Sequence, residues 1–90
     1  MVKMKIKQND LAVLSAIREG EYSILNPLTR KMHRINETGR FIWTTCKESR
    51  DTDELASIVA DYFHISVETA RKDVERFVET MLTFELFEEV

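Results

Sequence analysis

Ninety residues suffice for one domain built on a single hydrophobic core, and they leave little room for a deep catalytic cavity. Hydrophobic residues make up 43% of the chain and charged residues 32%, with only two Gly and one Pro, a balance that excludes a disordered or collagen-like chain. The net charge of -3 hides an asymmetry: up to Lys47 nine basic residues stand against four acidic ones, and after it four stand against twelve.

No apolar run approaches the length of a membrane span, and the opening MVKMKIKQND lacks the apolar core of a signal peptide, so a cytoplasmic location is expected. The single Cys46 has no partner for an internal disulfide or a metal pair. In chain order, Val2, Met4 and Ile6 alternate with Lys3, Lys5 and Lys7, the period of a half-buried or edge strand. Leu11 to Ile17 is a second strand, Glu19-Gly20-Glu21 a turn, and Tyr22 to Leu25 a third strand, together a hairpin. Asn26-Pro27 breaks the ladder, because proline has no N–H to donate and Asn tolerates turn geometry. The chain resumes at Lys31-Met32-His33-Arg34-Ile35, a basic strand that closes a three-stranded meander and lies at its edge. By alternation His33 and Ile35 share one face of this strand, and Met32 and Arg34 the other.

Helical signals begin at Asn36, an N-cap followed by Glu37, where the helix dipole favours an anion; a first helix is expected from Glu37 to Lys47. Asp51 or Thr52 caps a second, with Leu55, Ile58, Val59, Tyr62 and Phe63 on one apolar face. Only His64-Ile65 separates it from Ser66, the cap of a third helix, whose apolar face is Val67, Ala70, Val74, Phe77, Val78, Met81 and Leu82. Phe84 to Val90 reads as a short strand or an extension. The whole is a single α+β domain over residues 1–90, winged-helix-like: a three-stranded antiparallel sheet followed by a three-helix bundle containing a helix-turn-helix.

That arrangement raises DNA binding, and charge argues against it. The third helix carries Arg71, Lys72 and Arg76 against Glu68, Asp73, Glu75 and Glu79, a surface that repels phosphate. Catalysis and metal binding have less support. His33, Cys46 and His64 lie on three separate elements without ligand spacing, and two glycines cannot build a phosphate-cradling loop. No cofactor and no enzymatic activity are expected. An edge strand remains, whose open N–H and C=O groups can accept an extended peptide as a further strand.

The run LNPLTRKMHRINETGRFIW, followed by a capped helix and then DVERFVETMLTFELF, resembles PqqD, the pyrroloquinoline quinone biosynthesis protein D, and its relatives, over about residues 11–88. The carriers are Ile35 to Gly39, Trp43, and Asp73-Val74 with Phe77 and Leu82. Members of the quinone pathway usually follow this cysteine with Asp-Gly. Here Cys46 precedes Lys47 to Asp51, and the broader class of recognition domains for ribosomally made, post-translationally modified peptides accommodates the sequence better. The resemblance implies a non-catalytic peptide chaperone. It would bind a precursor's leader segment antiparallel to the strand Met32 to Ile35, in a groove against the helix Ser66 to Thr83, for a radical SAM enzyme or a leader peptidase or cyclase to modify. The implied contacts are Lys31, Met32, His33, Arg34 and Ile35 with Arg71, Asp73, Val74, Glu75, Phe77 and Val78. Arg71 and Glu75 flank the apolar stripe on one side and Asp73 and Phe77 on the other, and the spacing leaves open which side faces the strand; Val74, Phe77 and Trp43 also read as core. A monomer or a strand-exchanged dimer is expected, and a DNA-binding regulator or a structural subunit held through Phe84 to Phe87 stand as alternatives.

Overall fold

The computed structural model describes residues 4–90. It is an α+β domain of two three-stranded antiparallel sheets and three helices. The expected meander is the first sheet: β2 (Val13–Arg18), β3 (Glu21–Leu25) and β4 (Met32–Asn36), in that order. Its register sets Leu14 beside Ile24 and Ile24 beside His33, and Tyr22 beside Ile35. The period-two alternation therefore turns Ile24 and Ile35 into the core and Met32 and Arg34 out of it. The strand predicted from Leu11 begins later, because the Asn9 carboxamide accepts the Leu11 N–H at 2.9 Å and closes a turn there. Gly20, at φ 79°, makes the hairpin turn, and the pairing slips between Ala16 and Arg18 to meet it.

A second sheet was not foreseen. In it β1 (Lys5–Gln8) lies between β5 (Arg50–Asp51) and β6 (Phe87–Glu89). The strand read as half-buried or edge is therefore the central one, with Ile6 fully buried; Val2 and Lys3, part of that reading, lie outside the described residues. The tail resolves as a short strand, and Trp43 and Phe87 stack in parallel with centroids 5.7 Å apart beneath it.

Three local caps set the helices. The Asn36 carboxamide accepts from the Gly39 N–H at 2.9 Å and starts α1 (Glu37–Thr45), which ends two residues before the expected Lys47, with Cys46 as its cap. Asp51 accepts from the Glu54 N–H at 2.7 Å and starts α2 (Thr52–Phe63); Ser66 accepts from the Thr69 N–H at 3.1 Å and starts α3 (Val67–Thr83). Between them His64 takes the left-handed conformation at φ 56°. The core unites Ile6, Ile24, Ile35, Ile42, Leu55, Val59, Val74, Val78, Met81 and Leu86, from both sheets, all three helices and the segment before β6. Two residues expected on apolar faces are exposed. Tyr62 stacks on Phe41 at 4.0 Å at the rim, and Val67 stands at the first turn of α3.

Candidate functional site: the open margin of β4 and its groove

The turn before β4 is built around Asn26, which is buried. Its carboxamide oxygen accepts from the N–H groups of Leu28 and Thr29 at 3.0 and 3.4 Å, and its Nδ2 donates to the Glu85 carbonyl at 2.8 Å. The turn is thereby tied to the end of α3. The Asn26 N–H donates to the Lys31 carbonyl at 2.9 Å, and Arg30 takes φ 62° to close the loop.

That bond also settles which main-chain groups of β4 are open. In an antiparallel ladder, residue pairs alternate between exchanging hydrogen bonds and turning their N–H and C=O groups away from one another. With Asn26 and Lys31 a bonded pair, the register makes Ile24–His33 and Tyr22–Ile35 bonded pairs too. Met32 and Arg34 accordingly turn their main-chain groups away from β3. β4 is the last strand of its sheet, and no backbone bond crosses its far margin among the described residues.

Beside that margin lies a groove of about 340 Å³. His33 to Asn36 form one wall, Asp73, Arg76, Phe77 and Thr80 of α3 the other, and Thr38, Gly39 and Ile42 of α1 the floor. Gly39 permits the approach of these elements. A methyl group at that position would lie 2.9 Å from the Ile35 Cβ and 2.9 Å from the Phe77 ring. Phe77 is itself held edge-on against Phe87, centroids 5.8 Å apart. The floor is mixed, with Ile42 beside Thr38 and Gly39, and the rim is charged, with Arg34 on Glu21 at 3.0 Å and Arg76 on Asp73 at 3.3 Å, pairs too exposed to add much stability.

The structure brings together part of the predicted set. His33, Arg34, Ile35, Asp73 and Phe77 line the groove. Met32 contributes main chain to the margin while its side chain points to the outer face of the sheet. Lys31 sits before the strand, 3.8 Å from Glu85, and His33 also packs on Phe84 at 4.9 Å. Val74 and Val78 are buried beneath the groove, whereas Arg71 reaches towards Asp53 of α2 and, like Glu75, is not part of the lining. The residues missed are Asn36, Thr38, Gly39, Ile42, Arg76 and Thr80. The spacing 73, 76, 77, 80 marks one helix face, but both flanks of the stripe carry mixed charge, so nothing local distinguishes them.

Beyond the end of the groove the Tyr22 hydroxyl donates to Glu37 at 2.7 Å, and Arg40 binds the same carboxylate. The Arg40 hydrogen bond, then that of Tyr22, holds the Glu37 carboxyl below its usual range, and the same carboxylate raises the Tyr22 hydroxyl above its own. Burial pushes the Cys46 thiol up to about 12, which makes it a packing residue rather than a nucleophile. Among the described residues no group of three or more His, Cys, Asp or Glu is placed to hold a metal, and no helix is long and apolar enough to cross a membrane.

A family model described as coenzyme PQQ synthesis protein D (PqqD) matches residues 21–86, well over half of the chain. The chain belongs to the PqqD family. The matched stretch runs from the start of β3 to the residue before β6, so in this PqqD-family chain it contains both walls and the floor of the groove. The fold matches that of TbiB1, solved in complex with the TbiA(beta) leader peptide, with a TM-score of 0.75 at 22% identity, over 91% of this chain and 94% of that one. At that identity the likeness shows the fold. No curated protein matches this chain.

Proposed function

We propose that this chain is a non-catalytic peptide chaperone. It binds the leader segment of a ribosomally made precursor peptide in the cytoplasm, as an antiparallel strand added to β4 in the groove against α3. It then presents the attached core to a tailoring enzyme, a radical SAM enzyme or a leader peptidase or cyclase. The observation that carries the reading is the main-chain margin of Met32 and Arg34, unpaired among the described residues and running beside a groove with Ile42 and Phe77 in its lining. Family membership agrees with it, and TbiB1, which shares the fold, is a protein seen with a leader peptide.

The energetics suit the task. Two donors and two acceptors, each worth about 0.5–1.5 kcal/mol net, fix the direction and register of the guest strand. One apolar side chain reaching Ile42, Gly39 and Phe77 adds about 1.5–3 kcal/mol. We read α2, the short turn and α3, with the first sheet as the wing, as a winged-helix-like arrangement that serves a peptide rather than DNA. A second copy pairing on β4 would occupy the leader's place, so the binding form is the monomer.

The test is a titration with the leader peptide encoded beside this chain's gene, followed by amide NMR. Signals of residues 32–36 should move together with those of 73, 76, 77 and 80. Met32→Pro removes an outward N–H at an edge position, where proline is tolerated, and puts its ring against the incoming strand. Affinity should fall about tenfold or more while the fold persists. Unchanged binding by that variant, or shifts confined to the turn at His64 and Ile65, refutes the assignment.

A further inference from the structure

The first sheet has a second face, turned away from α3, and an antiparallel sheet with one wet face ordinarily carries polar side chains there. The register instead aligns Val13 with Leu25 and Leu25 with Met32. Three apolar side chains therefore cross the sheet in one row, 53, 38 and 52% exposed, and Leu28, 76% exposed, stands in the turn at the same end. The next row on that face is Ser15, Ser23 and Arg34, so the stripe is bounded. At its border Lys31 is held by Glu85 and Arg34 by Glu21, whereas Arg30 makes no ion pair among the described residues.

We propose that this stripe is where the tailoring enzyme docks, through an apolar patch of that enzyme carrying a carboxylate opposite Arg30. The proposal rests on the leader-binding reading above. A second copy is the poorer occupant, because a two-fold contact sets the same surface on both sides and offers Arg30 no carboxylate beyond the Glu21 and Glu85 that Arg34 and Lys31 already hold. A lipid surface is poorer too, since anionic membranes are held by clusters of uncommitted cations and only Arg30 is uncommitted here. Four side chains make a patch of a few hundred Å² at most, short of the roughly 1,200 Å² that a stable pair buries. Such a patch suits a transient partner whose grip another contact completes, and the leader supplies it. Met32 lies on the strand whose margin takes the leader, so a body seated on this face is about 5 Å, one strand spacing, from the added strand. Leader and enzyme then raise one another's affinity by the same factor.

The probes are the leader peptide and the tailoring enzyme encoded beside this chain's gene. The variants are Val13→Thr with Leu25→Thr, and separately Leu28→Ser; all three sites are exposed and lie off the β4 margin, and circular dichroism verifies the fold. Both variants should bind the leader within about twofold of the parent chain, and the leader-loaded forms should lose about tenfold or more in affinity for the enzyme. The parent chain should hold the enzyme more tightly with the leader than without it. A parent chain that takes the leader while the enzyme fails to bind, or binds both variants equally well, overturns the docking face alone. So does self-association, or binding to phosphatidylcholine–phosphatidylserine vesicles, that the variants abolish. A parent chain that takes no leader overturns the leader reading and this inference with it.

Discussion

Replacing Gly39 with alanine sets two well-defined effects against each other. In a helix interior alanine is favoured over glycine by about 1 kcal/mol. Against this, the added methyl would lie 2.9 Å from the Phe77 Cε1 and 2.9 Å from the Ile35 Cβ. The Phe77 ring is the far end of a side chain and can swing aside. The Ile35 Cβ cannot, because Ile35 precedes Asn36, whose carboxamide is bonded to the Gly39 N–H, so strand end and helix start form one rigid corner. Overpacking of this kind costs about 1–3 kcal/mol, which outweighs the propensity gain and leaves a net loss of up to about 2 kcal/mol. For a domain of this size each kcal/mol lowers the melting temperature by about 4–8 °C. A thermal melt followed by circular dichroism reads the loss, and a parallel titration with the leader peptide should show weaker binding, since the displaced Phe77 ring narrows the groove. Adding Phe77→Leu should recover only part of the stability, because the contact with Ile35 remains. A Gly39→Ala variant that melts higher than the parent chain would refute the close approach.

Asn26→Ala should lower the urea midpoint by an amount equal to about 1–3 kcal/mol with the slope unchanged, since the Leu28 and Thr29 N–H groups lose their acceptor and the turn loses its tie to the Glu85 carbonyl. Asn26→Asp should recover part of that loss by restoring the acceptor; equal midpoints for all three chains would contradict the role given to this side chain. Cys46 is fully buried with its thiol pushed up to about 12, so an alkylating reagent at neutral pH should label it at a rate that follows denaturant-induced opening. Rapid labelling of the native protein would contradict the burial.

Much of this molecule is legible in its sequence, and the legible part is local. Asn36, Ser66 and the pair Asp51-Thr52 announce three helix starts because a cap needs only a side-chain oxygen and an N–H three residues on; Asn36 and Ser66 are bonded in that way, and of the pair it is Asp51 that makes the bond. The alternation of His33 and Ile35 with Met32 and Arg34 follows from the period of a strand; the Asn26-Pro27 break separates β4 from β3, and the helix cap at Asn36 ends the meander with β4 as its last strand. The pairing of the second sheet had no local signal. β5 spans two residues, too short to show a period, the tail that holds β6 reads equally as a strand or an extension, and both exist as strands because β1 lies between them. The two flanks of α3 are alike in charge pattern, so only packing could turn Asp73 and Phe77 towards β4 and Arg71 towards α2. The contact of Gly39 with Ile35 and the row Val13, Leu25 and Met32 likewise arise where separate elements meet. Periodicity and capping are properties of neighbours along the chain, whereas register and facing are set by the one arrangement in space that buries the apolar stripes of both sheets and all three helices together.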